Sequence, residues 1–139
     1  MTPQEAANRL FNRVMTSASA GDTAEARAFA PMAIAAYERA QPLDLDGLYH
    51  VAVLQLINDE SAAARETTER ILAEAPNHLF GLFTAAQSES LLGNDAAAVE
   101  FYRRFLENYD AEIALDRPEY SDHVALLPSM REEARQAVG

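Results

Sequence analysis

The stretch GLYHVAVLQLINDESAAARETTERILAEA, residues 47–75, decides the fold when it is set against GLFTAAQSESLLGNDAAAVEFYRRFLENY, residues 81–109. A shift of 34 positions aligns the two. Identities fall at Gly47/Gly81, Leu48/Leu82, Ala52/Ala86, Ala62/Ala96, Ala63/Ala97, Ala64/Ala98, Glu66/Glu100, Arg70/Arg104 and Leu72/Leu106. Tyr49/Phe83, Ile57/Leu91 and Ile71/Phe105 are near-equivalents. Alanine richness alone produces some of these matches, but it does not also bring the turn residues Asp59 and Gly93 into register. Self-similarity at this period marks a supersecondary unit that buries its apolar face against its neighbours.

Each unit reads as two helices. The chain is rich in Ala, Leu, Glu and Arg and shows no sustained period-two alternation, so strands are not expected. Thr2-Pro3-Gln4-Glu5 combines an N-cap, a proline at the first helical position and a capping-box glutamate. Asp22 with Glu25 repeats the cap, and Asn77 and Asn94 are the expected caps of two later helices. Helices are predicted at about 3–19, 22–40, 45–58, 60–75, 78–92, 94–115 and 119–137. Pro31 is expected to kink or restart the second helix near Phe29, and Pro128 to divide the last segment. Connections of a few residues set neighbouring helices antiparallel, as hairpins.

The spacing resembles the tetratricopeptide repeat (TPR), a 34-residue helix pair. Leu48, Val51 and Ala52 fill the fourth, seventh and eighth places of one such repeat, and Ala64, Ile71 and Pro76 its twentieth, twenty-seventh and thirty-second. Leu82, Ala85, Ala86, Ala98, Tyr102 and Phe105 fill matching places in the next. The pattern is degenerate: Gln55 and Glu89 replace the first-helix tyrosine, Thr68 is not aromatic, and Asp110 stands where a proline closes the unit. In the first pair, with Gly21 at the turn, the second helix must be about one turn longer, closing at Pro42. The resemblance implies an all-α, short right-handed α-solenoid of about three TPR-like hairpins, 3–40, 45–75 and 78–115. A C-terminal capping helix at 119–137 completes one domain spanning 1–139. Leu126, Leu127 and Met130 are the expected covering face of that cap, which is expected to carry no ligand.

Composition excludes several functions. Acidic residues outnumber basic ones 22 to 11, for a net charge of −11, which disfavours polyanionic nucleic acid and an anionic membrane surface. Without cysteine there is no disulfide framework, thiolate metal site or cysteine nucleophile. Residues 1–20 lack an apolar signal core, so a cytoplasmic location is expected, with export as part of a longer protein left open.

No catalytic motif emerges. Asp46/His50 and Glu119/His123 are i,i+4 pairs, but two ligands from each place do not make a metal site. His78 reads as a solvated residue at a helix start. No cofactor, metal or catalytic residue is therefore expected. In the TPR family the second, fifth and ninth places of each repeat look into a concave face. That geometry implies a partner-binding set of Phe11, Met15, Tyr49, Val53, Phe80, Phe83 and Gln87. The same rings are equally suited to packing between helices. The expected function is a non-catalytic adaptor that takes a neutral or basic amphipathic segment of another protein in its groove. A self-associating structural unit is the alternative, and a small all-α enzyme a distant third.

Overall fold

Helix starts follow the capping chemistry closely. In the computed structural model, which describes residues 1–139, Thr2 accepts from the Glu5 amide while the Glu5 carboxylate accepts from the Thr2 amide. This opens α1 (Pro3–Ser19). Asp22 caps α2 (Thr23–Glu38) through the Glu25 amide, and Asp44 caps α3 (Leu45–Ile57) through the Gly47 amide. α4 (Ser61–Glu74), α5 (Leu79–Leu91) and α6 (Asp95–Ala114) follow. The last segment is three pieces: α7 (Pro118–Asp122), a 3-10 turn (Val124–Leu126) and α8 (Leu127–Val138). The chain is all-α.

Three helix ends share one motif. Gly21, Asp59 and Gly93 adopt left-handed backbone with φ of 81°, 58° and 84°. Asp22, Glu60 and Asn94 then donate to the carbonyls of Ser17, Gln55 and Glu89, five residues back, at 2.9, 2.8 and 2.8 Å. These are Schellman closures, and they satisfy carbonyls that a helix end would otherwise leave open. Asp59 occupies the position that glycine takes twice, at 34 residues from Gly93 and 38 from Gly21.

The expected helices are all present, with four local corrections. α2 does not restart at Phe29 but runs unbroken past Pro31. Proline removes a single ladder bond there, and Ala26, Ala30, Ala33 and Tyr37 hold the helix by burial on both sides of it. Asn77 caps nothing in α5; His78 is the N-cap, its ring Nδ1 accepting from the Gly81 amide at 3.3 Å. Asn94 makes no side-chain cap bond and instead donates to Glu89 Oε2 at 2.8 Å. The final segment breaks at His123, ahead of Pro128, which sits in the first turn of α8.

By packing, the chain resolves into two compact units, Met1–Thr67 and Thr68–Gly139. The division falls inside α4. The N-terminal unit is built on the α1–α2 hairpin with α3 against α2. Its core is small-residue rich: Ala7, Val14, Ala26, Ala30, Ala33 and Leu54 pack around Phe11 and Tyr37. Alanine at these places lets helix axes approach closely.

In the C-terminal unit, α5 pairs with α6, and α8 lies on α6. α5 is buried nearly all round, from Leu79 through Ala86, as a helix apolar on every side should be. Gly81 is required where α5 meets Ile71: a Cβ there would lie 2.7 Å from Ile71 Cγ2 and 3.0 Å from Leu72 Cδ2. On α8 the buried stripe is Leu127, Met130 and Ala134. Leu126 is not part of it and remains 38% exposed, because it lies in the 3-10 turn and the break rotates it off the stripe. No helix is long and apolar enough to cross a membrane.

Candidate binding surfaces

The residues singled out in the sequence occupy two kinds of place. Phe11, Tyr49, Phe80 and Phe83 are buried, at 5%, 5%, 0% and 5% exposure. Met15, Val53 and Gln87 are half-buried. The rings are thus packed in the free chain, and only the flanking positions reach the surface.

In the N-terminal unit, Phe11 on α1 stacks on the His50 imidazole of α3, with centroids 3.9 Å apart and planes 13° from parallel. The same imidazole is held at both nitrogens. Nδ1 lies 2.7 Å from the Tyr37 hydroxyl of α2 and 3.2 Å from Asn8 Oδ1 of α1, and Nε2 lies 3.2 Å from Asp46 Oδ1. Tyr37 donates to Asn8 Oδ1. Burial, and then the charges of Asp46 and Asp44, push the Tyr37 phenol well above its ordinary range, so it stays a neutral donor. Asn8, Tyr37, His50 and Asp46 therefore tie three helices together. The i,i+4 pair Asp46/His50 is a real contact, and its ring is buried at 4% exposure. Met15 and Val53 pack partly buried against this core.

In the C-terminal unit, Phe80 is enclosed by ring edges. Tyr120 stands at 5.2 Å and 89° to it, His123 at 5.6 Å and 80°, and His78 at 5.8 Å and 63°. Phe83 faces the other way, onto Tyr102 and Phe105 of α6, at 5.6 and 5.7 Å. His78 is fully buried, which corrects its reading as a solvated residue: its Nε2 meets Glu119 Oε2 at 2.6 Å. Burial pushes the Glu119 carboxyl up. The hydrogen bond from His78 and the nearby charge of Arg117 outweigh it and hold the group below the usual carboxylate range. Glu119 is thereby committed to His78 by a short hydrogen bond.

A second polar chain stands beside the first. Tyr120 donates to Glu112 Oε1 at 2.6 Å and accepts from the Leu79 amide at 2.9 Å, while Arg117 Nε reaches the same Glu112 oxygen at 3.0 Å. The five-residue α7 thus binds the start of α5 twice, through Glu119 to His78 and through Tyr120 to Leu79. Sequence reasoning missed Tyr37, Glu112 and Tyr120. The only sequence signal was that each is a polar or amphipathic residue within an apolar helical pattern.

This chain can be compared with known proteins on that geometry. No protein-family model matches it, and no curated protein matches it in sequence. Among solved structures it is similar to the Yersinia enterocolitica type III secretion chaperone SycD in complex with a peptide of the translocator YopD. The likeness covers 95% of this chain and 94% of that one, with a TM-score of 0.52 and 14% identity. At that identity what is shared is the all-helical fold.

Proposed function

We propose that this chain is a non-catalytic helical adaptor that binds a segment of another protein. The observation that carries the reading is the fold, followed almost end to end by a chaperone solved with a peptide of its translocator. The TPR-like repeat and the series of helix hairpins point the same way. The net charge of −11 favours a neutral or basic amphipathic segment, with electrostatics acting mainly on the encounter rate. Met15 and Val53, half-buried on the core of the N-terminal unit, are the positions through which its first helices would meet a ligand, with Phe11 and Tyr49 behind them. Gln87, with Phe80 and Phe83, holds the matching places of the C-terminal unit.

The test uses peptides selected from a random display library against the full chain, with affinities measured by fluorescence anisotropy. A selected peptide is expected to bind the unaltered chain saturably and Met15→Glu/Val53→Glu at least about tenfold more weakly, a loss in the range of one interface hot spot. Circular dichroism checks that both proteins are equally helical. If no peptide is selected, or if the double variant binds every selected peptide unchanged, the reading fails.

A further inference from the structure

Four of the eight large apolar side chains exposed on this chain lie within residues 113–126: Ile113 at 38%, Leu115 at 59%, Val124 at 63% and Leu126 at 38%. Exposed apolar surface gathered on a small protein marks a contact site more often than an accident. Two of the four, Ile113 and Val124, line a cavity of about 280 Å³ in the C-terminal unit. Tyr109 and Ile113 of α6, Val124 of the 3-10 turn and Pro128 of α8 line it, with the buried Tyr120 and Leu127. The volume falls just under the roughly 300–1,000 Å³ of small-molecule pockets, which suits one anchoring side chain rather than a whole ligand.

The sign of the surroundings identifies the rest of the occupant. Within residues 107–123 the exposed charges are Glu107, Asp110, Asp116 and Asp122, while the buried Glu112 holds the one cation, Arg117. Arg131 lies over the Tyr109 ring at 4.4 Å from its centroid and 4.0 Å from Asp110, so Asp116, Glu107 and Asp122 are the acids left for an occupant. Asp116 lines the cavity, is exposed, and has a left-handed backbone with φ of 54°.

We propose that this groove, formed by α6, α7, the 3-10 turn and α8, docks a short cationic segment of another protein. A leucine-sized or larger apolar side chain fills the cavity, and a neighbouring arginine or lysine meets Asp116. The site lies within the C-terminal unit, and its test does not depend on Met15 or Val53. It also gives the C-terminal segment a ligand, where a cap alone was expected.

The probe is a short fluorescein-labelled peptide of leucines flanked by arginines, titrated into the full chain. Two controls exchange either every arginine for glutamate or every leucine for serine. Ile113, Asp116 and Val124 reach the surface, so Ile113→Ser, Val124→Arg and Asp116→Asn should fold normally; asparagine also accepts the left-handed backbone at 116. The arginine–leucine peptide is expected to bind saturably and both controls weakly. Val124→Arg and Ile113→Ser should each weaken binding about tenfold or more, as loss of an interface anchor does. Asp116→Asn should weaken it about threefold and flatten its salt dependence. The proposal is overturned if the peptide does not bind, or if it binds Val124→Arg as well as the unaltered chain. It is equally overturned if light scattering finds a dimer that Val124→Arg dissolves, since the occupant is then a second copy of this chain.

Discussion

Phe11 and Phe80 are both buried first-helix rings, but the two units enclose them by different physics. Around Phe11 the neighbours are an imidazole stacked flat and a polar network in which Asn8, Tyr37 and His50 each touch the other two, with Asp46 on the far nitrogen of His50. Around Phe80 the neighbours are ring edges, and the polar groups behind them form two separate chains with little redundancy. Redundant networks tolerate the loss of one member; tightly committed ones leave a buried group without a partner. The C-terminal unit should therefore be the more sensitive of the two to single substitutions.

The largest effect is expected at Phe80, which has no exposed surface. Phe80→Ala should cost about 3–5 kcal/mol, the range for aromatic truncation in a packed core. Chemical denaturation followed by circular dichroism measures it. A loss under about 1 kcal/mol would mean the site collapses freely, and the enclosure by ring edges would then carry no weight.

The second comparison is between two tyrosine hydroxyls. Tyr120→Phe removes the acceptor of the Leu79 amide and one donor to Glu112, leaving a buried N–H at the start of α5 unpaired. That should cost about 2–3 kcal/mol, the upper part of the penalty for an orphaned buried group. Tyr37→Phe leaves Asn8 and His50 in contact with each other and His50 still on Asp46, so about 1 kcal/mol is expected. Equal losses would remove the distinction between redundant and committed networks.

Much of this architecture was legible in the sequence, and the reason is local. Caps at Thr2 and Asp22 and the turn positions Gly21, Asp59 and Gly93 are decided by residues within one turn of each other. The surfaces were less legible because their partners are remote. His78 looks solvated beside Pro76 and Asn77, and what buries it is Glu119, 41 positions on. Tyr37 takes its meaning from Asn8 and His50, on two other helices. Leu126 shares a helical stripe with Leu127 and Met130 only if the helix runs through all three. The break at His123 shifts the phase, so Leu126 faces outward instead.

An acid titration sharpens the comparison further. Glu119 has its carboxyl held below the usual carboxylate range in the folded chain. A lowered folded pKa contributes stability that is present above the unfolded value and is lost as pH falls through the folded one. Glu119→Gln should therefore destabilise the protein at pH 7 and lose that disadvantage progressively below about pH 4.5, where the unaltered chain protonates too. Denaturation midpoints of the two proteins should converge on the acid side. Parallel curves down to the point of unfolding would show that the His78–Glu119 contact is not the titrating element.

The smallest effect is expected where the units are most alike, at the Schellman turns. Gly93 sits at φ 84° with open space where a Cβ would point, so Gly93→Ala meets no clash and only the backbone resists. Its cost should be about 1 kcal/mol, that of a left-handed non-glycine residue. Asp59 already bears that strain at φ 58°, and its carboxylate meets Arg27 Nη2 at 2.9 Å. Asp59→Gly relieves the backbone but loses an exposed ion pair worth about 0–1 kcal/mol and gains entropy in the unfolded chain. These terms nearly cancel, so a change within about 0.5 kcal/mol is expected. Arg27→Ala separates them, since it removes the pair and leaves the backbone alone. If Asp59→Gly costs more than about 1 kcal/mol while Arg27→Ala costs nothing, the ion pair is not what makes aspartate serve at a turn that glycine occupies twice elsewhere.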